Sequence, residues 1–238
     1  MLANIRYPSS GSGSLDQDVH LPATSLYELL DFIGVQLPRW RDRGDRKPET
    51  SETSLTSTLC AHLNSAARHS GLDFLQFRTE VPDQQTRGRT IDLTAASRGA
   101  TVWIEGRRHI DFDTLLPIEC KRLPTPKGRD RDEREYVITR RGSTGGIQRF
   151  KAGLHGANHT LGAMIGYVQQ GTRAYWNTQV SAWIKDLVAI GQPGWTTKDL
   201  LELVQDDDTL QLAVLRSSHA RDNGLPEISL QHLWISIN

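Results

Sequence analysis

The chain has 238 residues, with 28 Lys and Arg balancing 28 Asp and Glu. Its 37% hydrophobic and 24% charged residues support a packed core and argue against wholesale disorder, and the neutral total leaves nucleic-acid binding open, because binding depends on where charge sits. Two cysteines, an N-terminal stretch without the apolar core of a signal peptide, and a longest apolar run (161–168) far short of the roughly 20 residues that span a bilayer lead us to expect a soluble, cytoplasmic protein without a membrane segment or disulfide scaffold.

Residues 8–14 (PSSGSGS) read as a flexible linker or mobile arm. Residues 23–35 place Leu26, Leu29, Leu30 and Ile33 at helical spacing, and the charged stretch 38–48 reads as a loop. The clearest N-terminal helix is 50–70. Leu55, Leu59, Leu63 and Ala66 form its stripe, Thr50 or Ser51 can cap it, Glu52 falls in its first turn, and Gly71 ends it.

Strand-like pieces follow at 74–79, 89–95, 101–105 and 115–121. The turns at 82–88 and 97–99 suggest an antiparallel meander. After a polar, basic stretch (124–141), a helix is predicted over 146–154, reached through a turn containing Gly142, Gly145 and Gly146. Residues 161–169 read as a buried strand. Residues 178–190 read as a helix with Val180, Trp183, Ile184 and Leu187 on one face. A short helix is predicted over 197–204, capped by Thr196 or Thr197, and strands over 210–216 and 228–237. This order predicts an α/β fold with a central mixed sheet flanked by helices. We divide it into an arm and helix (1–48), a core (49–195), and a C-terminal helix and strands (196–238) packing on the same domain.

Glu119 and Lys121 emerge from the apolar run Leu115, Leu116, Pro117, Ile118. Period-two geometry puts both side chains on one face of a strand and Cys120 on the other. If the strand carrying Asp92 pairs with it, Asp92 and Glu119 can share a divalent cation and Lys121 can reach the same water. Phosphodiester cleavage asks for such a set: hard oxygen ligands for the metal and a cation or base beside the attacking water.

Thr90-Ile91-Asp92 followed 27 residues later by Ile118-Glu119-Cys120-Lys121 resembles the PD-(D/E)xK nuclease superfamily, which includes restriction, repair and anti-phage nucleases. The proline that often precedes the first acidic residue is missing here. The resemblance runs from about Glu52 to Gln169 and implies a restriction-endonuclease-like core working with Mg²⁺, for which Mn²⁺ can substitute. It also implies roles for particular residues. Asp92, Glu119, the Cys120 backbone carbonyl and Glu52 would be metal ligands. Lys121 would orient or deprotonate the attacking water, and Gln148 would position water or a phosphate. The expected activity is Mg²⁺-dependent endonucleolytic hydrolysis of DNA in a bacterial restriction or anti-phage defence system. The alternative is a catalytically silent nucleic-acid-binding or regulatory subunit of a defence complex with the same fold. With no NTPase or sensor of its own, such a nuclease would be restrained by a partner protein (an ATPase or sensor) or by self-assembly into a homo-oligomer.

Between Lys121 and Lys151 there are ten basic and four acidic residues, a local excess of six in a neutral chain. Lys127, Arg129, Arg140, Arg141, Arg149 and Lys151 are therefore candidate phosphate contacts, and the glycine turn before Gln148 offers backbone N–H groups to a phosphate. The interleaved acids equally suit a solvated loop of local ion pairs. His155 and His159 lack further zinc ligands and read as helix-end histidines. His219 and His232, on the last two strands, suit a structural pairing. The six dispersed tryptophans suit core packing.

Overall fold

The computed structural model describes residues 26–48, 50–83, 88–99, 101–104, 106–128, 131–140, 144–222 and 224–237. Helix α1 (Leu26–Arg41) buries Leu29, Leu30 and Ile33 as the spacing predicts, but it runs six residues beyond residue 35, through Pro38. Leu37 and Trp40 explain the extension. Both are at most 1% exposed, and the Trp40 ring lies 5.9 Å from Tyr167, so burial of the last turn outweighs the amide hydrogen bond that Pro38 cannot make. Helix α2 (Glu52–Ala67) starts where Ser51 caps it, accepting the Ser54 amide at 3.1 Å. It ends four residues before Gly71.

The strands are β1 (Leu75–Pro82), β2 (Thr90–Ser97), β3 (Val102–Ile104), β4 (Arg107–His109), β5 (Leu116–Leu123), β6 (Leu161–Val168), β7 (Glu202–Asp207), β8 (Leu212–His219) and β9 (Ile228–Ser236). Helix α3 (Gly146–Lys151) lies between β5 and β6, and α4 (Arg173–Ala189) follows β6. Seven strands form one mixed sheet in the order β1-β2-β5-β6-β9-β8-β7. The β5–β6 and β6–β9 pairs are parallel and the others antiparallel. β3 and β4 form a separate hairpin between β2 and β5; β4 was not foreseen. The described fold is thus α/β with a large mixed sheet flanked by helices.

Alternation along the central strands sorts the core into two layers. Ile118, Cys120, Ala163, Ile165, Tyr167, Leu233 and Ile235 pack with α1 and α2. Met164, Leu230 and Trp234 face Ile147, Phe150 and the apolar side of α4: Val180, Trp183, Ile184 and Leu187. Burying both faces of β6 explains its uninterrupted apolar sequence.

Two further segments differ from expectation. Residues 197–204 are not a helix: Thr196 caps a single 3-10 turn (Thr197–Asp199), and the chain then pairs as edge strand β7, with Glu202 opposite Arg216. Cross-strand pairing has overridden the local helical pattern. α4 begins at Arg173, five residues early, capped by Thr172, and Arg173 is buried against Asp206 at 2.6 Å and Asp208 at 2.7 Å. Among the described residues no helix is long and apolar enough to cross a membrane. The 8–14 arm lies outside the described residues.

Candidate metal and phosphate site

The site forms where β2 and β5 part. Their pairing ends at Leu93 opposite Ile118, one residue short of Asp92 and Glu119. Beyond that point, carboxylates replace the missing β2–β5 ladder bonds. Asp92 Oδ2 accepts the Cys120 amide at 2.9 Å, and Glu52 Oε2, from the first turn of α2, accepts the Arg122 amide at 3.1 Å. This satisfies two backbone donors that would otherwise lose their ladder partners.

The ammonium of Lys121 lies among four oxygens. Glu119 Oε1 is at 2.8 Å, the Cys120 carbonyl at 2.9 Å, Glu52 Oε1 at 3.1 Å and Asp92 Oδ2 at 3.4 Å. These belong to the four residues assigned from the sequence as metal ligands. Glu119 is fully buried and Lys121 4% exposed, whereas the side chains of Glu52 and Asp92 are 26% and 24% exposed. The open side leads into a cleft lined by Glu52, Thr53, Ser57, Thr79, Glu80 and Asp92.

The other side of Glu119 is closed by two residues whose part here the sequence did not reveal. Arg149, assigned to phosphate contact, donates Nη1 to Glu119 Oε1 at 2.6 Å. His155 is completely buried, and its Nδ1 lies 3.1 Å from Glu119 Oε2 without hydrogen-bond alignment. Both reach the carboxylate from α3 and the turn after it, a tertiary approach that spacing along the chain does not announce. Glu80 is a third addition. It sits on β1 between the registered pairs Thr79–Leu93 and Val81–Ile91, with φ of 51°, a left-handed backbone unusual for a strand.

The charges are strongly coupled. Burial raises Asp92 to about 6, reinforced by Glu119 and only partly offset by Lys121. Burial also works to raise Glu119, but Lys121, His155 and Arg149 prevail and hold it at about 2. Burial opposes the charge on Lys121, yet Glu119, Asp92 and Glu52 carry its pKa well above the ordinary lysine value. Lys121 is therefore an ammonium in this arrangement.

The donor chemistry suits a hard divalent cation, because the converging groups are all oxygens. Among the described residues, no three His, Cys, Asp or Glu side chains already stand as a metal shell; the oxygens are drawn around the ammonium instead. Unmet hydrogen-bonding demand gathers at the same place. Glu119 Oε2, Arg149 Nε and both ring nitrogens of His155 are buried without a hydrogen-bond partner, and such atoms are costly unless a further polar group satisfies them. A cation bound by these oxygens fits, provided that Lys121 and Arg149 yield.

Gln148 is engaged elsewhere. Its Oε1 accepts the amides of Thr139 at 3.2 Å and Gly145 at 3.3 Å, fastening the start of α3. The helix amides do not offer the phosphate cradle suggested by the glycine turn, because Gly146, Ile147 and Gln148 donate theirs to the carbonyls of Glu135, Tyr136 and Val137. The glycines serve this close packing: a Cβ at Gly145 would stand 2.4 Å from the Ile138 Cα.

Of the basic candidates, Lys127 is exposed and the Arg140 side chain 81% exposed. Arg129 and Arg141 lie outside the described residues. Lys151 does not face solvent. It is 6% exposed, holds Asp199 at 2.5 Å and lies 5.0 Å from the centre of the Trp195 ring, because its position in α3 points into the second core layer. Several acids of the segment pair locally, with Arg131 at 2.9 Å from Glu135 and Arg134 at 3.4 Å from Asp132.

His219 and His232 lie away from this site in a buried polar chain. Asp199 bridges Lys151 and His219, Ser217 Oγ lies 2.6 Å from His219 Nε2 and 2.8 Å from His232 Nε2, and His232 Nδ1 meets the Tyr136 hydroxyl at 2.7 Å. His159 is tied to the Thr114 carbonyl at 2.8 Å. Comparison with known protein families, curated proteins and solved structures gives no match for this chain.

Proposed function

We propose that this chain is a divalent-metal-dependent endonuclease that hydrolyses phosphodiester bonds in DNA. One observation carries the reading: oxygens from α2, β2 and β5 converge on a single point beside a buried lysine, at the edge of an open cleft. The similarity of Asp92…Glu119-Cys120-Lys121 to the PD-(D/E)xK pattern supports it.

Asp92, Glu119, Glu52 and the Cys120 carbonyl would hold Mg²⁺ or Mn²⁺. When bound, the ion supplies Lewis acidity to the phosphate and lowers the pKa of the attacking water. Lys121, kept protonated by its carboxylates, orients that water and offsets charge on the phosphate. Asp92, titrating near 6 without metal, gains its full ligand charge at neutral pH. Arg149 lies close enough to Glu119 to meet the same phosphate, and His155 fixes the orientation of Glu119 as a partner behind a ligand. Lys127 and Arg140 extend the contact along the backbone of the nucleic acid. Gln148 keeps α3 in place and so aims Arg149.

Plasmid cleavage with Mg²⁺, Mn²⁺ or EDTA tests the reading. We expect metal-dependent nicking or cutting, abolished in Glu119→Ala and Lys121→Ala variants that retain their circular dichroism. A wild-type protein that cuts no form of nucleic acid with either metal would overturn the catalytic assignment. The second reading, a silent or partner-restrained subunit, draws on the lysine ammonium lying where the ligand oxygens converge. It is favoured if DNA is bound but not cut.

A further inference from the structure

Glu119 Oε1 carries two cations: Lys121 at 2.8 Å and Arg149 at 2.6 Å. They are held differently. Lys121 has three other oxygens within 3.4 Å. Among the described residues, the hydrogen bond that holds the Arg149 guanidinium goes to Glu119, and its Nε is buried without a partner. Arg149 thus uses one corner of a planar fork built for two parallel bonds. Its side chain is 19% exposed, so it borders solvent while its target is sealed. A phosphate offers the bidentate match that one carboxylate oxygen does not, and a guanidinium exploits that match better than an ammonium.

Building on the metal-nuclease reading, we infer that Arg149 couples the arrival of a nucleic-acid phosphate to the uptake of the divalent ion. In the resting chain, Arg149 neutralises the most buried carboxylate of the metal set. A phosphate that draws the guanidinium away removes one of the two cations from Glu119 Oε1 and so favours metal there, and bound metal in turn leaves Arg149 to the phosphate. The two ligands therefore raise each other's affinity, as linkage requires. Before substrate arrives the site is weak for metal, so Arg149 works as a positioning residue for the ion and a sensor of the phosphate.

The test measures Mn²⁺ affinity by electron paramagnetic resonance on the full chain, with and without a phosphorothioate oligonucleotide (single- and double-stranded in turn). For wild type we expect the oligonucleotide to tighten Mn²⁺ binding by about tenfold, within the range ordinary for coupled sites. Arg149→Met should bind Mn²⁺ about that much tighter without oligonucleotide and gain nothing when it is added. Arg149→Lys, which keeps the charge on Glu119, should bind like unliganded wild type. If Arg149→Met loses its near-ultraviolet circular dichroism, Arg149→Gln replaces it with the same expectation. A wild-type gain produced equally by inorganic phosphate supports the coupling and assigns it to the phosphate group alone. Arg149→Met binding Mn²⁺ no tighter than wild type overturns the coupling, whether or not the metal site exists. If wild type, Arg149→Met and Lys121→Met all fail to take up Mn²⁺ with oligonucleotide present, the metal-nuclease reading itself fails and the coupling falls with it.

Discussion

Lys121→Met isolates the charge that holds the oxygens together. With Asp92 ionised, Glu52, Asp92 and Glu119 bring three negative charges against Lys121 and Arg149, and the substitution leaves three against one. Removing one partner of a buried ion pair costs about 3–5 kcal/mol, because the other charge stays buried. Here Glu119 keeps Arg149 at 2.6 Å, and Glu52 and Asp92 are each about a quarter exposed. The loss should therefore fall near the lower end, about 3 kcal/mol in EDTA at pH 7.5. It should shrink as the pH falls through about 6, where Asp92 takes up a proton. Adding Mg²⁺ at a hundred times its Kd should return about 2.7 kcal/mol. Urea unfolding followed by circular dichroism, with EDTA and with Mg²⁺, reads all three effects. A loss below about 1 kcal/mol, the level of an exposed pair, with no recovery in Mg²⁺, would refute the idea that these oxygens form a cation cage.

Asp92→Asn probes the same cage by pH. The folded pKa of about 6 lies above the ordinary 3.8. Folding therefore favours the protonated acid; that stabilisation is complete below 3.8 and lost as the pH rises through 6. In EDTA the variant should unfold later than wild type at pH 8, by at most about 3 kcal/mol, with the gap closing towards pH 4. A variant less stable at pH 8 would count against the raised pKa. Gly166→Ala should destabilise by about 1–3 kcal/mol, because the added Cβ would stand 2.4 Å from Cδ1 of Trp234, whose indole is held by the Tyr136 hydroxyl at 2.7 Å; an unchanged melting temperature would contradict the packing. Arg140→Ala should leave the fold intact and lower the salt-dependence slope of DNA binding by about one, and an unchanged slope would remove Arg140 from the interface.

The helix cap at Ser51, the alternating sides of Glu119, Cys120 and Lys121, and the doubly buried β6 were legible because each depends on a few neighbouring residues. The gathering of Glu52, Asp92 and Glu119 follows once those elements are known. Arg149, His155 and Glu80 were not legible as site residues, since their places are set by packing between distant segments and by one unusual backbone angle. Lys151 misled because charge counting along the chain does not say which side of a short helix faces inward. The end of α1 was missed because a proline signals a break while the benefit of burying Trp40 is invisible locally. Residues 197–204 carried a helical pattern whose competitor, the edge of β8, comes later in the chain.

β9 follows every other element in the chain yet occupies the interior of the sheet, between β6 and β8. Until it pairs, β6 has an open edge, and Trp234 and His232 are missing from the layer that supports Tyr136 and α3. Arg149 belongs to that helix. On the ribosome, a nascent chain would therefore carry Arg149 before the layer beneath its helix is complete. The order of the strands makes the support of that helix the last part of the described sheet to be synthesised.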